Sequence, residues 1–275
     1  SFLVGSLDCL SSTFYAALSA VGFAYSLQLF IPGIPIVGTA IVAIMVFTVL
    51  NVLDVTNIGN AQIVLGGILL TCLVTYVVGG LVLPGGFSWE TFTAGPFFIY
   101  ESTLENLMMI MRTIALVFAA YVGYEVIAHD AEEAQNPSKN LPRAILISVT
   151  LCAIIYVSEA LVTLGTVSWQ QLAGSETALS DAVVHFAPGW GVPMMAVAGM
   201  IATLTSVNAA MLSGTREAFT LGRTGLWPRM FSSLSRFRTP HVSAIFMGAV
   251  SAVVAAVGMV DFLSYITSAG FLFVL

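Results

Sequence analysis

The stretch FAAYVGYEVIAHDAEEAQNPSKNLPRAI, residues 118–145, is the most polar part of an otherwise apolar chain. It begins inside an apolar run that already contains Glu125, and it continues through a cluster of charged residues to Pro137 and Pro142. Apolar residues resume at Ala144. Because proline disfavours continuation of a preceding helix, we expect Pro137 and Pro142 to stop the helices that flank a polar hinge.

The rest of the chain has the composition of a membrane protein. Of its 275 residues, 58% are hydrophobic and only 8% are charged, whereas a soluble domain carries about 25% charged residues. Several apolar runs exceed the length of roughly 18 residues that a bilayer-spanning helix needs. The composition therefore predicts an all-α, polytopic helical bundle surrounded by the lipid bilayer. Nucleic acid is excluded as a partner, because no basic patch is present.

Eight apolar segments are predicted to span the membrane, and no soluble domain separates them. Gly79, Gly80, Pro84, Gly85 and Gly86 are predicted to break the helix where it leaves the bilayer. Residues 84–102 and 168–190 are predicted to form longer loops. Because the sequence starts at Ser1 and stops inside an apolar run, we expect an excerpt of a longer protein. The predicted spans are 2–30, 35–53, 57–83, 105–128, 142–166, 191–215, 241–259 and a clipped segment from 262.

The positive charges predict the orientation of the chain. Seven of the eight Lys and Arg residues flank or occupy the 131–141 and 216–240 loops, and Arg112 is the exception. Cytoplasmic loops are enriched in Lys and Arg, so both loops are predicted to be cytoplasmic. The seven residues are Lys139, Arg143, Arg216, Arg223, Arg229, Arg236 and Arg238.

Glu125 is the most informative ionisable residue within a predicted span, because a buried charge in a bilayer needs protein, water or a partner around it. It follows Gly123, which allows two interpretations. In one, the helix unwinds at Gly123 and its backbone groups bind a polar ligand. In the other, the helix continues, Gly123 permits close packing and Glu125 bonds a neighbouring helix. The residues alone leave both open.

Other polar residues within spans also have two interpretations. Glu159 predicts either a hydrogen bond from a protonated carboxyl or a proton relay. Three clusters of small polar residues predict either tight helix packing or, if they meet, a cavity lining. His129 and its acidic neighbours predict a solvated charge cluster and no metal site. Enzyme motifs such as HExxH or a Walker loop are absent, so neither catalysis nor a cofactor is expected. The clusters are Ser11, Ser12 and Tyr15; Thr205, Ser206 and Asn208; and Thr267 and Ser268.

Two motifs resemble the amino acid–polyamine–organocation (APC) permeases. FAAYVGYE, followed by AEE (131–133), NP (136–137) and KNLPRAI (139–145), looks like the family's broken helix and cytoplasmic hinge. SGTREAFTLGRTGLWPRMFSSLSRFRTPHVSAI (213–245) is similar to a second family segment. The resemblance covers essentially the whole chain.

The resemblance implies a leucine-transporter-like fold with inverted repeats, of which residues 1–275 would be a single, partial transmembrane transporter domain holding the third to tenth helices. It favours the broken-helix interpretation of Gly123, and it places the carboxylate of a substrate on a helix before this sequence. It assigns substrate contacts to Ala120, Tyr121, Val122, Gly123 and Tyr124, with the three polar clusters near the cavity. The resemblance assigns gating or protonation to Glu125, while Glu159 is a candidate for gating or proton transfer from its position in the sequence alone. The resemblance assigns the cytoplasmic hinge to Glu132, Glu133, Asn136, Pro137, Pro142 and Arg143.

The function implied by the resemblance is secondary transport of an amino acid or related amine by alternating access. The protein would work as a symporter or antiporter, with a coupling proton or an exchanged amino acid as second solute. A multi-pass location in the plasma membrane is expected. The alternative is a sensor without transport, or a subunit of a heteromeric membrane complex.

Overall fold

The computed structural model describes residues 2–53, 59–96, 98, 100–123, 136–257 and 260–274. Within these residues the secondary structure is helical, with no strand. A 3₁₀ turn at Ala119–Tyr121 follows the fifth helix, and another lies at Arg229–Ser232. The α-helices are α1 (Phe2–Gln28), α2 (Ile36–Val52), α3 (Gly59–Val82), α4 (Trp89–Thr93), α5 (Thr103–Phe118), α6 (Pro137–Thr166), α7 (Trp169–Leu172), α8 (Ala178–Phe186), α9 (Gly191–Arg223), α10 (His241–Ala255) and α11 (Val260–Val274).

Each of the eight predicted spans overlaps one of these helices, although α5 ends well before residue 128, the predicted end of its span. In the described part of the chain, α1, α3, α5 with its 3₁₀ turn, α6 and α9 are long and apolar enough to cross a membrane. Helices α2, α10 and α11 are shorter but equally apolar. The prediction of an all-α polytopic protein is therefore confirmed.

Residues Ser1–Leu69 and Ala196–Leu275 form one compact unit, called unit 1, and Leu70–Met195 form unit 2. The core of unit 1 is built on small residues of α1. Ala16, Ala17 and Ala20 are fully buried against side chains that include Val207 of α9 and Met247 of α10. Small residues let helix backbones approach closely, which is how helices associate in a bilayer where hydrophobicity gives no net attraction.

The core of unit 2 surrounds Tyr76 of α3, which packs with Val162 of α6 and Phe186 of α8. Gly79 and Gly80 face this core, and a side chain on Gly80 would collide with Val162. The prediction that these two glycines break α3 is therefore wrong, since the helix continues to Val82. They permit close packing, while the turn beyond α3 uses Gly85, whose φ is +81°.

The segment 168–190, predicted as a loop, contains α7 and α8, and α4 lies within the predicted loop 84–102. Helix α8 forms because Ala182, Val183 and Phe186 share one face that is buried in the unit 2 core. Three apolar residues within a polar segment were too weak a periodic pattern to predict it.

Helix α6 begins at Pro137 and contains Pro142, so the prediction that Pro142 stops a helix is wrong. Pro137 occupies the first helical position, where proline is favourable because that N–H has no intrahelical partner. Asn136 precedes it with φ +50°, and its carbonyl accepts the N–H groups of Lys139 and Asn140, each at 3.0 Å. Pro142 removes one backbone bond in the second turn, which the long helix tolerates.

Candidate substrate site

The α-helical geometry of α5 ends at Phe118, in the middle of the segment predicted as a span. A 3₁₀ turn occupies Ala119–Tyr121, and Val122 is extended, with φ −60° and ψ 138°. Gly123 then has φ +118°. The interpretation of a continuous helix through Gly123 is therefore wrong, and helical geometry ends where the break was predicted; the residues from 124 to 135 lie outside those described.

Glycine is favoured at position 123 because of the backbone conformation there, and not because neighbouring atoms leave too little space for a side chain. A φ of +118° lies in a region that side-chain-bearing residues rarely adopt. A Cβ built on Gly123 meets no atom of the structure within 4 Å. Substitution here would strain the backbone without creating a clash.

Tyr156 of α6 braces the break, a contact that the sequence analysis missed. Its hydroxyl donates to the carbonyl oxygen of Ala120 at 3.1 Å. Its ring packs edge-to-face on Tyr121, with centroids 5.4 Å apart. The sequence contained one indication of this contact. Tyr156, Glu159 and Thr163 follow one another at helical spacing in an apolar segment, so they lie on one face of α6.

Ending a helix inside an apolar span has an electrostatic consequence. The last carbonyls of an α-helix lack intrahelical N–H partners and carry partial negative charge. Around Ala119–Gly123 such oxygens can accept hydrogen bonds from a protonated amine. The hydroxyl of Tyr156 already uses the carbonyl of Ala120, so that oxygen serves the brace.

A groove of about 650 Å³ follows one face of α5 and ends at Tyr121. At its other end lie Phe98 and Tyr100, and the side chain of Asn106 is bonded to the backbone of Tyr100 at 2.7 and 3.2 Å. Among the described residues that line it, none is charged. They are Phe98, Tyr100, Asn106, Met109, Ile110, Thr113, Ile114, Val117, Phe118 and Tyr121.

Glu159 lies on the buried face of α6, with 8% of its surface exposed. Its Oε1 is buried and has no hydrogen-bond partner among the described residues. Beside it, the hydroxyl of Thr163 donates to the carbonyl of Glu159 at 2.7 Å, and Tyr76 lies 2.7 Å from the same hydroxyl. Because Thr163 has a single hydroxyl proton, Tyr76 must be the donor to Thr163. A short hydroxyl chain therefore ends on the backbone carbonyl of Glu159.

In unit 1 the structure brings the polar clusters of α1 and α11 together. Ser11 and Ser12 are buried, and the side chain of Ser11 occupies the space that a side chain on Gly270 would need. The ring of Tyr15 meets Phe271 edge-on at 6.4 Å. Thr267 and Ser268 are fully buried, and their hydroxyl oxygens have no hydrogen-bond partner in the described part of the chain.

The third cluster lies on α9. Thr205 donates within its own helix, to the carbonyls of Ile201 and Ala202 at 2.8 and 2.9 Å. Asn208 is buried and Ser206 is half-buried. Thr205 thus fits the helix-packing interpretation, whereas Thr267 and Ser268 keep unused hydrogen-bonding capacity.

Several predicted site residues lie outside the described residues, namely Tyr124, Glu125, Glu132 and Glu133, as does His129. Their roles stay predictions from the sequence. Of the predicted hinge, Asn136 and Pro137 form the start of α6, and Arg143 is exposed.

Comparison with known proteins assigns the chain to a family. A family model described as "Amino acid permease" matches residues 1–275. The branched-chain amino acid permease BcaP of Bacillus subtilis is 31% identical over 163 residues, which are 58% of this chain and 35% of that protein. The vacuolar cationic amino acid transporter 4 of Arabidopsis thaliana is 28% identical over 243 residues, which are 87% of this chain and 40% of that protein.

A third relative, the methylthioribose transporter of Bacillus subtilis, is 26% identical over 212 residues, which are 77% of this chain and 43% of that protein. The chain spans less than half the length of these three relatives. The family match extends over the helix break and over both compact units. The chain is an integral, multi-pass membrane protein that belongs to the amino acid permease family of the APC superfamily.

Proposed function

We propose that the protein is a secondary active transporter of amino acids or related amines, not an enzyme, and that it works by alternating access. The observation that carries the proposal is the interruption of α5 at Ala119–Gly123 inside an apolar span. Irregular backbone at membrane depth is tolerated where it lines protein or a polar cavity, and transporters bind their substrates at such interruptions.

The break would hold the amino group of the substrate. Carbonyl oxygens of Tyr121 and Val122, which lie beyond the α-helical part of α5, accept hydrogen bonds from the ammonium group. Tyr121 forms an aromatic wall that Tyr156 keeps in place. Tyr124 and Glu125 are assigned to the proposed site on the basis of the sequence alone.

The substrate class follows from the groove along α5, which leads to Tyr121 and has no charged residue among the described residues that line it. Burying a charged side chain there would carry an uncompensated desolvation cost. We therefore propose a neutral amino acid with an apolar side chain. The branched-chain name of one relative agrees with this choice.

The decisive experiment is uptake of radiolabelled leucine into proteoliposomes that contain the purified protein. We expect accumulation that excess unlabelled leucine suppresses and that excess lysine or glutamate leaves unchanged. Saturable binding without accumulation would instead support the sensor alternative. Inhibition by lysine equal to that by leucine would contradict the proposed substrate class.

Tyr156→Phe tests the brace at the break. The variant keeps the ring contact with Tyr121 and loses the hydrogen bond to Ala120, a bond worth about 0.5–1.5 kcal/mol. We expect leucine uptake to slow by about two- to tenfold, with unchanged thermal stability of the purified protein. Tyr100→Phe, at the far end of the groove, is the matched control. Equal effects of both changes would show that Tyr156 has no special role.

Glu159→Gln tests whether the buried carboxyl carries a coupled proton. Glutamine has the shape of the protonated acid but cannot exchange a proton, so uptake driven by a pH gradient is expected to be lost. Exchange of internal for external leucine needs no net proton movement and is expected to continue. Glu90→Gln, at an exposed position on α4, should leave both modes intact. If gradient-driven uptake survives in Glu159→Gln, the carboxyl is only a hydrogen-bonding group.

A further inference from the structure

The segment Thr224–Pro240 joins α9 to α10 and is called here the arginine segment. Arg229, Arg236 and Arg238 lie in it, and Arg223 immediately precedes it; all four side chains are exposed. The sequence has no Asp or Glu from Ala218 through Val260. The segment is thus a patch of positive charge next to the ends of two apolar helices, and the expectation from the sequence that no basic patch is present is wrong at this surface.

The inner side of the arginine segment is fixed by aromatic contacts. The indole N–H of Trp227 donates to the hydroxyl of Ser6 on α1 at 2.9 Å. Its ring packs edge-on against Phe231 and Phe246, with centroids 5.0 and 5.7 Å away. Phe231 also lies against the backbone of Gly222 at the end of α9.

Two hydroxyl groups add further anchors. Ser243 of α10 donates to the carbonyl of Phe231 at 2.9 Å. Thr239 donates to the carbonyl of Val52 at the end of α2, at 2.7 Å. The arginine segment is therefore held on α1, α2, α9 and α10.

The outer side combines the arginines with apolar side chains. Leu226, Met230 and Leu234 are 45%, 59% and 54% exposed. The guanidinium of Arg236 lies over the ring of Phe237, 4.7 Å from its centroid. Exposed apolar side chains interspersed with arginine are typical of a surface that lies in the membrane interface, where the apolar groups enter the acyl region.

The backbone conformation of Arg238 is a second reason to expect a function for an arginine side chain in this segment. Its φ is +62°, in the left-handed region that glycine occupies more readily. A tight turn imposes this conformation, in which the N–H of Arg238 donates to Ser235 at 2.9 Å and the N–H of Ser235 donates to Thr239 at 2.8 Å. Arginine stands here despite the backbone strain, which is consistent with a use for its side chain.

We propose that the outer side of the arginine segment binds the phosphate groups of anionic phospholipids in the adjacent leaflet. Guanidinium groups match phosphate geometry and bind it in a bidentate manner. The apolar side chains reach the acyl chains of the same lipids. Because the segment is already held on four helices, binding costs little conformational entropy. This inference is independent of the transported substrate and of the transport mechanism.

The test is retention of lipid by the full protein. Protein purified in detergent is equilibrated with equal amounts of phosphatidylglycerol and phosphatidylcholine, and bound lipid is counted by native mass spectrometry. We expect preferential retention of phosphatidylglycerol, which added salt weakens. The double substitution Arg229→Gln/Arg236→Gln should weaken retention by about twenty-five-fold, at about fivefold per arginine. Arg112→Gln removes one charge elsewhere and should have no effect.

Arg238→Gly separates binding from folding. The change relieves the backbone strain and removes one charge, so the thermal stability should be kept while retention of phosphatidylglycerol falls. Equal retention of the two lipids by the wild-type protein would overturn the proposal, as would unchanged retention in the double variant. Displacement of the lipid by millimolar inorganic phosphate alone would also overturn it, because the site would then recognise free phosphate.

Discussion

Replacing Gly123 by alanine is expected to remove most leucine uptake while the protein stays folded. The added methyl group meets no atom within 4 Å, so no clash opposes folding. Holding alanine at φ +118° costs about 1–3 kcal/mol, and the backbone relieves that strain by moving out of its conformation. Carbonyl groups at the break then shift from their positions, and uptake into proteoliposomes should fall by about ten- to a hundredfold.

The matched control is Gly174→Ala. Gly174 has φ +86° and likewise no atom within 4 Å of an added methyl group, but it lies in the segment between α7 and α8. Local strain is therefore similar in the two variants, and only Gly123 lies at the break. Gly174→Ala should transport leucine at nearly the wild-type rate. Normal uptake by Gly123→Ala, or an equal loss in both variants, would contradict a role for the break in binding.

The second large effect is expected at Gly86, where alanine should prevent stable folding of unit 2. Beyond α3 the chain turns back, so that the N–H of Phe87 donates to the carbonyl of Gly80 at 2.6 Å. A Cβ on Gly86 would overlap that carbonyl, and backbone cannot move aside as a flexible side chain can. We expect a loss of more than about 3 kcal/mol in the free energy of unfolding.

Thermal unfolding in detergent measures this effect, with monodispersity in size-exclusion chromatography as a second readout. Gly189→Ala is the control, because Gly189 is also a turn glycine of unit 2 but has open space around it and no positive φ. We expect Gly189→Ala to unfold at the wild-type temperature. A monodisperse Gly86→Ala protein with unchanged stability would show that the turn over α3 can rearrange.

The sequence predicted the helices well because apolar runs in a membrane protein have few alternatives. The sequence could not show which glycines of GGLVLPGG (residues 79–86) allow helix packing and which allow a turn. Gly79 and Gly80 pack against other helices, while Gly85 and Gly86 turn the chain. That distinction depends on Val162 and Phe186, which are remote in sequence. Pro142 was misjudged because one lost backbone bond is a small cost in a 30-residue helix.

The helix break was predictable in part, since Gly123 permits the conformation that the structure adopts. The bracing by Tyr156 was not, because it joins two residues 36 positions apart in the chain. The three polar clusters have similar compositions but differ in the hydrogen bonds that their buried hydroxyl groups make, and the sequence does not show this difference. Thr205 satisfies its hydroxyl within its own helix, whereas Thr267 and Ser268 find no partner among the described residues.

The division into units also has a consequence for biosynthesis. Unit 2 is one continuous stretch of chain, whereas unit 1 is assembled from two separate segments, Ser1–Leu69 and Ala196–Leu275. Helix α1 packs against α11, which the ribosome adds more than 200 residues later. During translation the serines of α1 that are buried in the folded protein are therefore in the membrane before their partner helix is present. Contacts between sequence-distant segments form slowly, so we expect α1 to depend on insertion factors that shield its polar surface until α11 has entered the membrane.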